Sequence, residues 1–222
     1  MVATSGRADR ERRDRQRRER QDARARILEA ASGLLEEHRW TDLRLEDVMS
    51  AAGLSRTAFY RHFDDRHTLL LAMLDEIRQH IGSTGAAWKA GDPHPVSALC
   101  TGLAELTASM QEHGRLMQAV ADAAAYDAGI RAARVEMVGF FVAVTADRIR
   151  ADVAAGHSRV RDPERVADAL VRMNEALLLD AFGSRPYPDP AEVCATICEV
   201  WVTTIYGREA LDSHRASGDG IG

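Results

Sequence analysis

Apolar residues recur at three- and four-residue intervals along almost the whole chain, and no stretch alternates in the manner of a strand. Ile27, Ala30, Ala31, Leu34 and Leu35 line one face of a helix that the pattern starts near Asp22. Leu45, Val48, Met49 and Ala52 mark a short second helix that stops at Gly53, and a third runs from Ser55 through Phe59 to His62. A fourth starts near Asp65 and carries Leu69, Leu70, Met73, Leu74, Ile77 and Ile81 on one long stripe. Two sets of breakers follow, from Gly82 to Gly85 and again across Gly91, Asp92, Pro93 and Pro95, bracketing a short segment. Helical spacing resumes over 95–112, 115–126 and 129–155. Asp162 before Pro163 and Asp189 before Pro190 are caps followed by a proline at the first helical position, and each opens a further helix. These two run over 163–183, stopped by Gly183, and over 190–212, with Val193, Ile197, Trp201 and Ile205 inward. The expected fold is all-α, with about nine helices in a small N-terminal head and a larger body. The organisation expected is a disordered Arg-rich arm over 1–21, a head over 22–82, a body over 83–213 and a flexible tail over 214–222.

The stretch 45–63 carries the most chemistry. It reads as helix, tight turn, helix: Val48 and Met49 inward, small Ala52 where two helices cross, and Gly53 in the left-handed turn. Leu54 plugs the corner, Ser55 caps the next helix, and Phe59 and Phe63 anchor that helix from behind. Arg56, Thr57, Tyr60, Arg61 and His62 are left on the outer side, a set suited to phosphates and base edges in a major groove.

With Gly53-Leu54-Ser55, then Phe59-Tyr60-Arg61-His62-Phe63, then Arg66 ahead of Leu69, residues 22–80 resemble the DNA-binding head of TetR-family transcriptional regulators. The resemblance implies that Arg56 and Thr57 read bases or adjacent phosphates and that Tyr60 and His62 touch the backbone. It implies that Ser55 both caps its helix and bonds a phosphate, and that Arg66 holds one where the family usually has Lys. Arg44 departs from the family, which caps the second helix with Thr or Ser. Arginine cannot cap an N-terminus and opposes the helix dipole there. Arg44 is therefore expected to bind DNA while Thr41 or Asp42 shares the capping.

In the body, Leu170 to Glu175 and Trp201 to Gly207 resemble the ethionamide-resistance repressor branch of the same family. That resemblance implies an apolar tunnel through each subunit and an amide, here Asn174, that hydrogen-bonds an effector. The wall would comprise Leu99, Gly102, Leu103, Leu106, Met110, Phe141, Val144, Thr145, Val171, Leu178, Leu179 and Trp201. Any one of these apolar residues also fits ordinary core packing, and Asn174 fits a structural hydrogen bond as well as a ligand. Arg148 falls on the face of Phe141 and Thr145. It either stands at the surface, pairs with an acid such as Glu175, or receives an anionic head group.

Composition changes this picture in two places. The net charge of −5 argues against nucleic acid when taken alone. Residues 1–26, however, hold ten Arg against five acids, whereas the rest of the chain is acidic on balance. The arm is thus a candidate for phosphate contact, with a solvated tail as the alternative. Cys100, Cys194 and Cys198 are too few for a disulfide scaffold and read as small core residues, with no metal-ligand set nearby. Neither a membrane-length apolar run nor a signal peptide is visible, which points to the cytoplasm. The absence of nucleophile-elbow, phosphate-loop and zincin motifs argues against an enzyme, and no cofactor is expected.

The reading is a homodimeric repressor released from a palindromic operator by a small, mostly apolar effector, paired through the helices at 163–183 and 190–212 with Ala176, Ala181 and Gly183 allowing close approach. Two other functions compete with it. A ligand-independent architectural DNA binder would have a filled body, and a ligand carrier with a vestigial head would lack salt-dependent DNA affinity.

Overall fold

The computed structural model describes residues 3–217, all of whose regular structure is helical. Ten helices follow one another: α1 (Ala3–Leu35), α2 (Leu45–Ala51), α3 (Arg56–Phe59), α4 (Arg66–Ser83), α5 (Ala86–Ala90), α6 (Pro95–Ala124), α7 (Ala128–Ala154), α8 (Pro163–Phe182), α9 (Pro190–Ile205) and α10 (Arg208–Ala216). The chain forms two compact units, Met1–Met73 and Leu74–Gly222, and the division falls inside α4. None of the described helices is long and apolar enough to cross a membrane.

The caps seen in the sequence hold these elements. Ser55 Oγ accepts the Ala58 N–H at the start of α3, and Asp65 accepts both the N–H and the hydroxyl of Thr68 at the start of α4. Asp162 and Asp189 cap α8 and α9, each with proline in the first turn. In unit 1 the core is Ile27, Ala31 and Leu35 of α1, Val48 and Met49 of α2, and Phe59, Phe63, Leu69 and Leu70 around the turn. In unit 2, α6 packs against α7, α8 and α9, while α7 and α8 pair along their length.

Several boundaries differ from the sequence reading. The described backbone is helical from Ala3, so α1 begins well before Asp22 and the segment assigned to a disordered arm continues the helix. Arg, Gln and Ala, which together are frequent in this segment, are good helix formers. Of the tail expected over 214–222, residues 214–216 belong to α10 and 218–222 lie outside the described residues. The helix expected over 190–212 is divided by Gly207, whose φ of 90° ends α9 and lets α10 start.

The expected break between 112 and 115 does not occur, since Gly114 lies within the continuous α6. A Cβ at Gly114 would lie 2.3 Å from the carbonyl oxygen of Phe182, so this glycine serves the contact between α6 and α8. Gly183 is occupied similarly, because a Cβ there would meet the Leu179 carbonyl at 2.4 Å and Gln118 at 2.6 Å. Its small size is used inside the chain and not on an outer face.

The cysteines also depart from expectation. Cys100 of α6 and Cys198 of α9 form a disulfide, with Cα atoms 5.5 Å apart, and Cys194 alone stays a buried thiol. Their 98-residue separation hides this in the sequence, where only the pair four residues apart shares a visible face.

The two kinds of helical glycine separate in a stability measurement. Gly114→Ala forces the α6–α8 contact apart and costs about 1–3 kcal/mol. Gly139→Ala, with nothing within 4 Å of the new methyl, stabilises α7 by about 0.5–1 kcal/mol. Urea unfolding of both variants checks the opposite signs.

Candidate functional site

Unit 1 builds an exposed surface around α3. Gly53, at φ 63°, turns the chain between α2 and α3, and Leu54 N–H closes the turn on the Met49 carbonyl. Phe59 is fully buried and stacks with Phe63, so the opposite side of α3 faces outward. Ser55, Arg56, Thr57, Tyr60 and Arg61 are exposed there, Tyr60 by 53% despite its aromatic ring. Arg56 donates to Glu46 at 2.5 Å and lies 3.5 Å from the Tyr60 hydroxyl, which orders both side chains. His62 is half-buried against Phe63; burial, then the charges of Arg20, Arg24 and Arg61, keep its pKa below the ordinary histidine value.

Two arginines are used within the unit. Arg26 of α1 donates to the Ala52 carbonyl and, at 3.4 Å, to that of Gly53, closing the C-terminal end of α2. Arg66 lies over the Trp40 ring, 4.7 Å from its centroid, and donates to the Trp40 carbonyl. Its position is therefore held by a cation–π contact, where the sequence reading had only a phosphate ligand in view. Arg44 is exposed at the N-cap of α2, and no side chain caps that helix. Thr41 donates to Asp42 at 3.3 Å, so neither shares the capping as expected.

Unit 2 forms a partly open cavity of about 140 Å³ between α4, α5, α6, α7, α8 and α9. Leu99, Gly102, Leu103, Leu106, Met110, Phe141, Thr145, Val171, Asn174, Leu178, Leu179 and Trp201 line it together. Val144, placed in the wall by sequence, does not, and neither does Arg148, for which the sequence leaves a surface place, an acid partner or a head-group role open. Ile81, Thr84, Gly85, Trp88, Lys89, Met117, Arg134, Met137, Val138 and Glu175 complete the wall and were missed. Most of these come from the short segment after α4 or from the first half of α7, where no periodicity separates a cavity wall from a core.

Asn174 is buried, and its Oδ1 accepts the Trp201 indole N–H at 2.8 Å. Since an indole nitrogen can only donate, the amide orientation follows, leaving the Nδ2 donors for the cavity. Asn174 thus makes a structural bond with one end and retains a donor at the other. Arg134 and Glu175, both in the wall, pair at 2.8 Å.

Arg148 instead pairs with Asp152, a fully buried carboxylate one turn along α7. The Tyr206 hydroxyl donates to the same carboxylate at 2.7 Å and accepts the Trp88 N–H at 2.7 Å. Burial pushes the Tyr206 pKa well above the ordinary tyrosine value, so the hydroxyl keeps its proton. Trp88 then meets Trp201 edge-to-face, with centroids 6.1 Å apart. One polar and aromatic series therefore runs from Arg148 through Asp152, Tyr206, Trp88 and Trp201 to Asn174.

The two regions correspond to two family profiles. "Bacterial regulatory proteins, tetR family" matches residues 27–73, and "Transcriptional regulator EthR, C-terminal domain" matches 99–207. The chain belongs to the TetR family. It is a transcriptional regulator with a helix-turn-helix DNA-binding domain and an EthR-type C-terminal domain. The HTH-type transcriptional regulator EthR of Mycobacterium tuberculosis is 28% identical over 190 residues, 84% of this chain and 88% of that protein. EthR of Mycolicibacterium smegmatis is 27% identical over 189 residues, covering 84% and 87%.

Solved structures share the TetR fold. A regulator from Saccharomonospora viridis in complex with choline superposes with a TM-score of 0.70 at 18% identity, covering 85% of this chain and all of that one. A TetR-family regulator from a Rhodococcus species gives 0.64 at 21%, covering 83% and 99%.

Tyr206→Phe tests whether the buried series is structural. The change strands the Trp88 N–H and removes one donor from Asp152, at a cost of about 1–3 kcal/mol. Urea unfolding should show that loss, and combining it with Trp88→Phe should give less than the sum of the two single changes.

Proposed function

We propose that this regulator is a homodimeric repressor, released from a palindromic operator when a small, mostly apolar effector fills the cavity of unit 2. The observation that carries the reading is the apolar cavity lined by Asn174, whose Nδ2 is not used by the Trp201 bond, in a chain whose other unit presents a reader helix. An architectural DNA binder would need no such space, because close-packed interiors leave few voids larger than a water molecule.

In the reader, Thr57 and Arg56 contact bases or adjacent phosphates, Tyr60 and His62 contact the backbone, and Ser55, Arg61 and Arg44 add phosphate contacts. Arg66 holds a phosphate from its place over Trp40. A helix as short as α3 spans few base pairs, so specificity requires two heads on one duplex. Pairing through the outer faces of α8 and α9 fits the small residues exposed there, Ala169 and Ala176 on α8 and Ala195 on α9. The compartment that goes with this function is the cytoplasm.

Release works through α4, which begins at Arg66 in the reader unit and ends beside the cavity at Ile81 and Ser83. An effector pressing on Ile81 and Thr84 tilts the last turn, and a rigid helix carries that tilt to the reader. Effector and operator then weaken each other by the same factor. The cavity is comparable to sites of roughly 150 Å³ that take up benzene, which bounds the effector's buried part to a small apolar body. The unused amide donor asks that body to carry a hydrogen-bond acceptor. Whereas the Saccharomonospora protein holds choline, a cation, the charge in this wall that has no ion-pair partner among the described residues, Lys89, is itself positive.

Two experiments test the two sites. Thr57→Ala with Tyr60→Ala should weaken operator binding about a hundredfold or more while dimerisation persists, since contacts of this kind contribute roughly 1–3 kcal/mol each. Retained binding in a mobility-shift assay refutes the reader assignment. Asn174→Leu should weaken binding of methyl hexyl ketone, an apolar chain with one acceptor, about tenfold while operator affinity stays near wild type. An unchanged ketone affinity by calorimetry removes Asn174 from the site.

A further inference from the structure

Lys89 is the only lysine in the chain, and it lines the cavity. It stands on α5, whose backbone is held close to α6: a Cβ on Gly102 would lie 2.5 Å from the Gly85 Cα. The Lys89 ammonium donates to the Gly82 carbonyl in the last turn of α4 at 3.0 Å and lies 6.0 Å from the centre of the Phe141 ring. An ammonium has three donors, so this bond leaves others to spare.

Charges around it are otherwise committed. Arg134 and Glu175 neutralise each other across the wall. Glu105 of α6 accepts the Gly85 N–H at 2.8 Å and forms no ion pair with Lys89. Among the described residues the cavity wall therefore carries one positive charge without an ion-pair partner, which Glu105 offsets only in part and from a longer distance, on a side chain half withdrawn from water. Burial draws the Lys89 pKa below the ordinary lysine value, and an anion beside it would reverse that. The bond to Gly82 alone would be met by any lysine capping a helix C-terminus from the surface. It does not account for a partly desolvated ammonium lining an apolar cavity, where an unpaired charge is costly.

We propose that Lys89 is the head-group receptor of this cavity and that the effector is an apolar molecule ending in a carboxylate. This rests on the cavity being the effector site. The carboxylate takes the spare ammonium donors, and its tail lies along Phe141, Leu103 and the apolar wall. The carboxylate also draws the ammonium toward the cavity and so stretches its bond to the Gly82 carbonyl, and head-group binding thereby loosens the last turn of α4. An acid thereby acts on the helix that leads to the reader, which a neutral tail of equal length does only by its bulk.

Three probes of one chain length separate the possibilities: octanoate, octanol and octylammonium, each titrated into the full-length protein by calorimetry. Wild type should bind octanoate at least tenfold more tightly than octanol and octylammonium least of all. In Lys89→Met the octanoate preference should disappear while octanol affinity stays within about twofold, and Lys89→Arg should restore it. Octanoate should also release operator DNA at lower concentration than octanol in wild type, but not in Lys89→Met. Equal affinity for octanoate and octanol in wild type, or a preference that survives in Lys89→Met, overturns the proposal while octanol binding keeps the cavity as the effector site. If none of the three binds, both readings fall. Circular dichroism melts establish that the variants are folded, and Lys89→Arg provides the comparison if Lys89→Met is not.

Discussion

A carboxylate with no access to water organises the C-terminal domain. Asp152 is fully buried, and an isolated ion there would cost several kcal/mol. Arg148 supplies the opposite charge and Tyr206 supplies a hydroxyl, so α7 is tied to the end of α9. Tyr206 can donate to Asp152 only in one orientation, and in that orientation its oxygen accepts from Trp88. The tryptophan in turn sets the edge against which Trp201 packs, and Trp201 sets the amide of Asn174. Two aromatic walls and one polar group of the cavity thus inherit their positions from a charge outside it.

The DNA-binding domain follows a related logic with the opposite outcome. Its polar groups divide into those satisfied within the fold and those left over. Ser55 and Asp65 are occupied by helix N-termini, Arg26 by the end of α2, and Arg66 by Trp40. The remainder, Thr57, Tyr60, Arg61 and Arg44, lie on the exposed side with α3 held from behind by Phe59. Glu46 and Arg56 order one another at the edge of that surface, but an exposed ion pair of this kind is weak and can be exchanged for a phosphate.

The proposed release from DNA depends on α4 being a single helix that belongs to both units. Its first residues belong to the reader unit and its last turn ends at the cavity, where the Gly82 carbonyl meets Lys89. The final carbonyls of any helix lack intrahelical partners, so they are the groups a neighbouring cation can hold or release at small cost. The cavity wall includes Ile81 of this last turn, which is why the proposed effector would act on the end of the helix first.

Local signals account for what the sequence determined by itself. The helix-turn-helix was legible because its caps, its left-handed Gly53 and its inward apolar positions fall within twenty neighbouring residues, each constrained by the backbone next to it. Asn174 and most of the apolar wall were reachable as well, through helical spacing joined to family resemblance. What the tertiary structure decided are pairings between distant segments that no period encodes: Arg148 with Asp152 and Tyr206 in place of the cavity, Cys100 with Cys198 in place of two core thiols, and Gly114 inside α6 in place of a break. Trp88 and Lys89 belong to the same class. They lie in a short segment between breakers, and only the approach of Gly85 to Gly102 brings them to the cavity. Spacing shows which face of a helix is apolar, whereas the neighbour that face meets depends on how all the other faces are satisfied at once.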